Sequence, residues 1–222
     1  MKQIDLIIPT RNRLQKLKRC LSSIPSSALG IPIKVTVVCD EDPMTAYLLQ
    51  ANPNSIEMVT VENHRGSVYC RNLISQNVTD ALLYATDDIE FKENAIAEAV
   101  KIMGQHFPDG DGIVGFNQIN ARKFSVAGVA LMGQKFLQRY PERKFLFPGY
   151  FHFSCQEVEY LGKKLGNILL AEKAEIIHYH PSFIKNEVDN THVEARLHRK
   201  RDRALSNERY EKGLIWGDDS GT

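Results

Sequence analysis

Short apolar runs alternate with segments of helical hydrophobic spacing in the first half of the chain. The runs are rich in β-branched residues or leucine and end at polar residues, which is typical of buried strands. They span residues 4–9, 33–39, 56–61 and 81–85. The intervening segments predict helices after Asn12, through Leu48 and Leu49, and at residues 68–75 and 94–103. This order predicts an α/β fold with a mostly parallel sheet and right-handed crossovers.

The pattern changes after a turn cluster, Phe-Pro-Asp-Gly-Asp-Gly, at residues 107–112. Strands now follow one another without a full helix between them. The predicted strands are 113–116, 126–132, 168–171 and 174–178, and the predicted helices are 135–140, 156–165 and the charge-rich 191–212. An aromatic loop at residues 145–153 precedes the second of these helices.

Composition narrows the class of protein. The 222 residues suit one sizeable domain, and 43% apolar with 25% charged residues is ordinary for a soluble globular chain. A formal net charge of +1 argues against a generally basic nucleic-acid-binding surface. Cys20, Cys39, Cys70 and Cys155 lack the spacing of a zinc motif, so we expect free thiols and a reducing, cytoplasmic location. We expect neither a signal peptide nor a membrane-spanning segment.

Two adjacent carboxylates, Asp87 and Asp88, follow the fourth apolar run. In an open α/β sheet, ligands bind beyond the carboxyl ends of such strands. Two acids placed there repel each other unless a cation lies between them and the ligand, and Mg²⁺ or Mn²⁺ supplies that charge while also contacting phosphate oxygens. The alternative is a solvated turn, because Asp-Asp is common at turns. The position after a buried strand favours the metal.

Five segments form an ordered series of motifs. They are Ile4-Asp-Leu-Ile-Ile-Pro-Thr-Arg-Asn-Arg, Val35-Thr-Val-Val-Cys-Asp, Asn63-His-Arg-Gly-Ser-Val-Tyr-Cys-Arg-Asn, Ala85-Thr-Asp-Asp and Cys155-Gln-Glu-Val-Glu-Tyr. The series resembles the GT-A glycosyltransferases of the large inverting family that includes cellulose and chitin synthases (family 2). Two positions depart from the family pattern: Ala85 replaces the first acid of the Asp-x-Asp metal motif, and Gln156-Glu157 stands where Glu-Asp is usual.

The resemblance covers about residues 4–180 and implies a GT-A, Rossmann-like sheet flanked by helices. It divides a domain at residues 1–190 into a nucleotide-binding half, 1–107, and an acceptor half, 108–190, followed by a charged helical extension, 191–222. It also implies a set of donor-site residues. Those expected to contact a nucleotide diphosphate sugar are Pro9, Thr10, Arg11, Asn12, Asp40, Arg71 and Asp87, and those expected to hold Mn²⁺ or Mg²⁺ are Asp88 and His180.

Several of these assignments have a structural alternative. Asp40 faces the base in the family, but it could equally be a turn carboxylate. Arg71 suits a pyrophosphate, because a guanidinium forks onto anionic oxygens, or it pairs with the adjacent acids. The family places a metal-contacting histidine at the end of the last strand, where His178 and His180 share one side. His180 is the better match by position, and a structural role for both is the alternative.

Glu157 is the expected catalytic base, with Glu159 in reserve, because inverting transfer needs a carboxylate that removes the proton of the acceptor hydroxyl. The alternative is that both acids favour the dipole of a helix first turn. The aromatic loop before them could form a stacking wall for the acceptor.

We therefore expect a metal-dependent inverting glycosyltransferase that moves a hexose, most simply from a UDP-sugar, to a hydroxyl on a soluble glycan, a protein or modified DNA. One alternative is a sugar-phosphate nucleotidyltransferase, whose glycine-rich opening loop is absent here. The other is a non-catalytic nucleotide-sugar or nucleic-acid binding module, which Ala85 and Gln156 keep open. A basic stretch at residues 196–203 is interpreted as a solvated helix face, or as a site for an anionic acceptor or a DNA backbone.

Overall fold

The computed structural model describes residues 3–50, 56–152, 155–184 and 188–218, and these form one mixed sheet with helices on both faces. The strands are β1 (Ile4–Thr10), β2 (Ile33–Asp40), β3 (Ile56–Val61), β4 (Ala81–Tyr84), β5 (Ile89–Phe91), β6 (Ile113–Gln118), β7 (Ala130–Gly133) and β8 (Ile168–His178). The helices are α1 (Leu14–Ala28), α2 (Pro43–Gln50), α3 (Gly66–Ser75), α4 (Ala95–His106), α5 (Gln134–Leu137), α6 (Cys155–Leu165) and α7 (Asn190–Glu211).

The first four strands form the predicted parallel sheet, in the order β3-β2-β1-β4. The apolar residues of β1, β2 and β4 are buried because α1 and α4 cover one face of the sheet while α3 and α6 cover the other, whereas the edge strand β3 is only partly buried. The carboxyl ends of β1, β2 and β4 meet at one edge. Thr10, Asp40 and the acid pair after β4 therefore share that edge.

The second half of the sheet is mixed. β7 runs antiparallel to both β4 and β6, β6 is parallel to β8, and β5 is antiparallel to β8. The two short strands predicted at residues 168–178 form a single strand, β8, whose pairing with β6 shifts register between Phe116 and Asn117. β5 was not predicted, since three residues are too few to show a periodicity.

The C-terminal helix packs against the rest of the described chain. It begins at Asn190, one residue before the predicted helical extension, and Asp189 caps it by accepting from the backbone N–H of His192. Asp202, buried on α7, accepts from the backbone N–H groups of Phe151 and His152 in the aromatic loop. The helix thus holds a loop that borders the candidate site.

Two further predictions concern the cysteines and membranes. All four cysteines are free, and Cys20, Cys39 and Cys70 are buried. Among the helices of the described ranges, none is long and apolar enough to cross a bilayer.

Candidate active site

A cavity of about 280 Å³ opens at the carboxyl edge of β1, β2 and β4. The acid pair and the end of β1 form its floor, α3 forms one wall, and the aromatic loop and the first turns of α7 form the others. The predicted site residues that line it are Pro9, Thr10, Arg11, Asp40, Arg71, Asp87, Asp88 and His180. Asn12 and Glu157 do not line it. The backbone N–H of Asn12 instead donates to Asp42 at 2.7 Å.

The two acids of the floor have different surroundings. Asp87 accepts from the hydroxyl of Thr10 at 2.8 Å and from Arg13 at 2.9 Å. Burial nevertheless dominates, and it raises the pKa of Asp87 to about 6. Burial also opposes charge on Asp88, but the adjacent imidazoles of His178 and His192 outweigh it and hold the pKa of Asp88 well below its usual range. Asp88 is therefore the more readily ionised acid of the pair.

Arg13 is a site residue that the sequence analysis missed. Its guanidinium donates to Asp87 at 2.9 Å and to both carboxylate oxygens of Asp189 at 2.9 Å. It also lies 2.8 Å from Nε2 of His192, so it ties the start of α1 to the start of α7. The signal was present in the sequence, since Arg13 ends the Pro-Thr-Arg-Asn-Arg loop that follows β1.

The carboxylate of Asp88 is the type of ligand that suits Mn²⁺ or Mg²⁺, and imidazole nitrogens lie beside it. Oδ1 of Asp88 is buried without a well-directed hydrogen bond and lies 3.2 Å from Nε2 of His178. Nε2 of His192 lies 3.6 Å from Oδ2 of the same carboxylate. His180, the predicted ligand, lies beside His192, and the centroids of the two rings are 5.0 Å apart. Among the described residues, no three such side chains stand together in an arrangement ready for a metal ion.

Asp40 lines the cavity and contacts the start of α3. It accepts from Nδ1 of His64 at 2.7 Å and from the backbone N–H groups of Arg65 and Gly66 at 2.8 and 2.9 Å, so it organises the start of α3. Gly66 has φ +82°, and a side chain there would collide with the backbone of Phe151. Glycine thus lets α3 and the aromatic loop meet at the rim of the cavity.

Arg71 is buried, and its side chain donates to the carbonyl of Ala85 at 3.1 Å. Its Nε has no hydrogen-bond partner among the described residues. Within the described ranges no carboxylate lies at ion-pair distance from it, so the predicted alternative, a pair with Asp87 or Asp88, is not formed. Burial lowers its pKa. Arg71 also lines the cavity.

Glu157 lies behind the cavity wall, where it holds the C-terminal segment. It is 4% exposed and accepts from Arg209 at 2.7 and 3.0 Å, from the backbone N–H of Trp216 at 2.7 Å, and from the hydroxyl of Tyr150. All its lone-pair directions are engaged by these donors, so the predicted role as base does not fit its position. Glu159 also lies outside the cavity, paired with Lys163 and Ser125.

The aromatic loop brings an imidazole to the cavity. His152 lines the cavity, and its Nδ1 lies 3.4 Å from the hydroxyl of Ser67. Its neighbour Phe151 stacks on the ring of His198 from α7, with centroids 3.8 Å apart. The loop is therefore fixed by α7 on one side while it presents an imidazole on the other.

Solved structures share this architecture. The mannosyltransferase PcManGT from Pyrobaculum calidifontis, solved with GDP-Man and Mn²⁺, superposes with a TM-score of 0.57 at 15% identity over 79% of this chain and 56% of its own. TarS 1-349 from S. aureus superposes with a TM-score of 0.58 at 15% identity over 79% of this chain and 60% of its own. The chain thus spans less than two thirds of these proteins.

No protein-family model and no characterised sequence matches the chain. At 15% identity the structural likeness shows the fold alone. It confirms the predicted GT-A arrangement, an α/β fold whose mixed sheet is flanked by helices.

Proposed function

We propose that the protein transfers a hexose from a nucleotide diphosphate sugar to an acceptor hydroxyl, with inversion at the anomeric carbon and with Mn²⁺ or Mg²⁺ as cofactor. One observation carries the proposal: a buried acid pair and a buried, uncompensated arginine face the same cavity. The acids attract a cation and the arginine attracts an anion. A metal-bound diphosphate satisfies both at once.

The donor lies along the carboxyl edge of the parallel strands. Thr10, at the end of β1, and the next residue, Arg11, lie beside the nucleoside, and Asp40 holds His64 on its far side. Arg71 donates to the diphosphate from the α3 wall. UDP is our first choice of nucleotide, and the presence of GDP-Man in the mannosyltransferase of the same fold makes GDP-sugars the second.

Asp88, His178 and His192 would hold the metal, with His180 at the next distance. When bound, the ion neutralises charge that develops on the leaving diphosphate. Thr10 and Arg13 hold the carboxylate of Asp87 in place at the floor of the cavity, next to the site of that ion.

His152 is the proposed acceptor-side base, in place of Glu157. It is the imidazole of the loop that α7 holds against the cavity, and a neutral imidazole accepts the proton of an attacking hydroxyl. Glu157 acts at a distance by fixing Arg209 and Trp216, and through them the end of α7.

A panel of nucleotide sugars, incubated with the protein and Mn²⁺ and followed by mass spectrometry, tests the proposal. We expect hydrolysis or transfer from one donor class, with loss of that activity in His152→Gln. A second candidate is a non-catalytic nucleotide-sugar binding module, which the sequestered position of Glu157 favours. Donor binding without turnover of any sugar in the panel would select that candidate.

A further inference from the structure

One face of α7 carries four exposed cations. Arg196, Arg199, Lys200 and Arg203 recur with the i, i+3, i+4, i+7 spacing of a single helix face, and we call them the basic ridge. In the described part of the chain, none of the four lies at ion-pair distance from a carboxylate. The whole chain has a formal charge of only +1, so the ridge is a local concentration of positive charge.

The ridge continues from the cavity. His192, which lines the cavity, precedes Arg199 by seven residues and Arg203 by eleven, so all three lie on the same side of α7. Glu194 lies on another side of the helix, where it contacts Arg11 and His64 at the proposed nucleotide end. The ridge therefore leads away from the cavity on the side opposite the nucleotide.

The chemistry of the ridge selects among possible occupants. Guanidinium groups bind carboxylate, sulfate or phosphate oxygens in a fork. A membrane-binding helix needs a broad exposed apolar face, whereas the first four turns of α7 expose two apolar side chains, Val193 and Leu197. The near-neutral chain also lacks the general basic charge of a nucleic-acid-binding domain. An anionic glycan fits best, because repeated anionic groups match a row of cations and the proposed reaction requires a hydroxyl-bearing acceptor.

We propose that the basic ridge binds an anionic glycan as the acceptor and guides it to the cavity. This inference rests on the proposed function for the role of the glycan as acceptor, while the binding itself is tested separately. Four repeated anionic groups along a glycan would each meet one cation of the ridge. Exposed ion pairs of this kind each contribute a factor of about 2 to 3 in affinity, so the four together contribute about 30-fold.

The test compares two variants of equal charge. The ridge variant carries Arg196→Gln, Arg199→Gln, Lys200→Gln and Arg203→Gln. The control variant carries Lys18→Gln, Arg122→Gln, Lys123→Gln and Lys173→Gln, four exposed cations outside α7. Binding of a fluorescent oligogalacturonate is measured by anisotropy at low salt, with a neutral dextran oligosaccharide, a single-stranded DNA and phosphatidylglycerol vesicles as comparison probes.

We expect the wild type to bind oligogalacturonate and not dextran, the ridge variant to bind it about 30-fold more weakly, and the control variant to match the wild type within about threefold. Equal losses in the two variants, no binding by the wild type, or tighter binding of DNA or vesicles than of oligogalacturonate would each overturn the proposal. UDP titrations with Mn²⁺ on the same samples separate the two proposals. Absence of UDP binding would contradict the proposed function. The proposal for the ridge is tested only by the binding of oligogalacturonate.

Discussion

Replacing Glu157 by glutamine separates a positioning role from a catalytic one. The carboxylate accepts from Arg209, from the backbone N–H of Trp216 and from Tyr150, and it is 4% exposed. Glutamine keeps the shape but turns an N–H₂ group towards one of these donors and removes the charge opposite Arg209. Uncompensated charge in a buried pair costs about 3 to 5 kcal/mol, and the remaining amide oxygen offsets part of this, so we expect about 3 kcal/mol of destabilisation.

The expected destabilisation of Glu157→Gln can be measured by the Tm and by the emission of Trp216. For a domain of this size, 1 kcal/mol lowers the midpoint by roughly 2 to 4 °C, so Glu157→Gln should lower the Tm by roughly 6 to 12 °C. Trp216 is the one tryptophan of the chain, and its indole donates to the carbonyl of Lys144. Its emission therefore reports directly on the docking of the C-terminal segment, and we expect a red shift in the variant.

Glu159→Gln is the matched control, two residues away on the same helix. Its partners are Ser125 and the exposed Lys163, so we expect a change in Tm of about 2 °C or less. Well below its melting temperature, Glu157→Gln should retain turnover within about tenfold of the wild type. A rate loss of about 10² or more with an unchanged Tm and unchanged Trp216 emission would refute this reasoning and return Glu157 to the role of base.

Three further predictions concern the cavity and the thiols. Arg71→Met should weaken diphosphate binding by roughly 10- to 100-fold, because a charge-assisted hydrogen bond is lost. It should leave the Tm unchanged or raise it, because a buried cation is removed. A lowered Tm with unchanged UDP affinity in calorimetry would speak against this prediction. His192→Ala should raise the Mn²⁺ concentration needed for half-maximal UDP binding by about tenfold, and His180→Ala should raise it less. A larger effect of His180→Ala would restore His180 as the predicted metal ligand. Burial raises the pKa of Cys39 to about 12, so this thiol should resist a disulfide reagent at pH 8 until the protein unfolds. Cys155, which lines the cavity, should react slowly and be protected by UDP with Mn²⁺. Rapid labelling of Cys39 in the folded protein would contradict its buried placement.

The sequence predicted the parts of the fold that depend on local hydrophobic patterning. The strand at Ile56–Val61 has the predicted bounds, and those of β1 and β2 differ by one residue, since each is a short segment rich in apolar, mostly β-branched residues. The acid pair was located by the same logic, because the end of a buried strand puts Asp87 and Asp88 at the ligand-binding edge. The helix predicted to follow Asn12 starts at Leu14, and Asn12 itself adopts φ 55°.

Contacts between distant residues explain what the sequence could not show. Glu157 occupies the helix start that the family motif indicates, but Arg209, fifty-two residues later, engages it, and no local pattern reveals that pair. His192 reaches Asp88 because Asp189 and Arg13 fix the first turn of α7 across the edge of the sheet. The helix was predicted as a charged extension, since its own sequence shows a charged helix and not what it packs against.

Calorimetric titration of UDP into the wild type and into Asp88→Asn, each with Mn²⁺ and with a chelator, tests the central claim most directly. The account predicts that the wild type binds UDP with Mn²⁺ and binds at least about tenfold more weakly with the chelator. It also predicts that Asp88→Asn, with its Tm within a few degrees of the wild type, shows the weak affinity under both conditions. Asp87→Asn should have the milder effect, because Asp87 contacts Thr10 and Arg13 instead. Equal UDP affinity with and without Mn²⁺, or an unchanged Mn²⁺-dependent affinity in Asp88→Asn, would contradict a metal-bound diphosphate at this edge of the sheet.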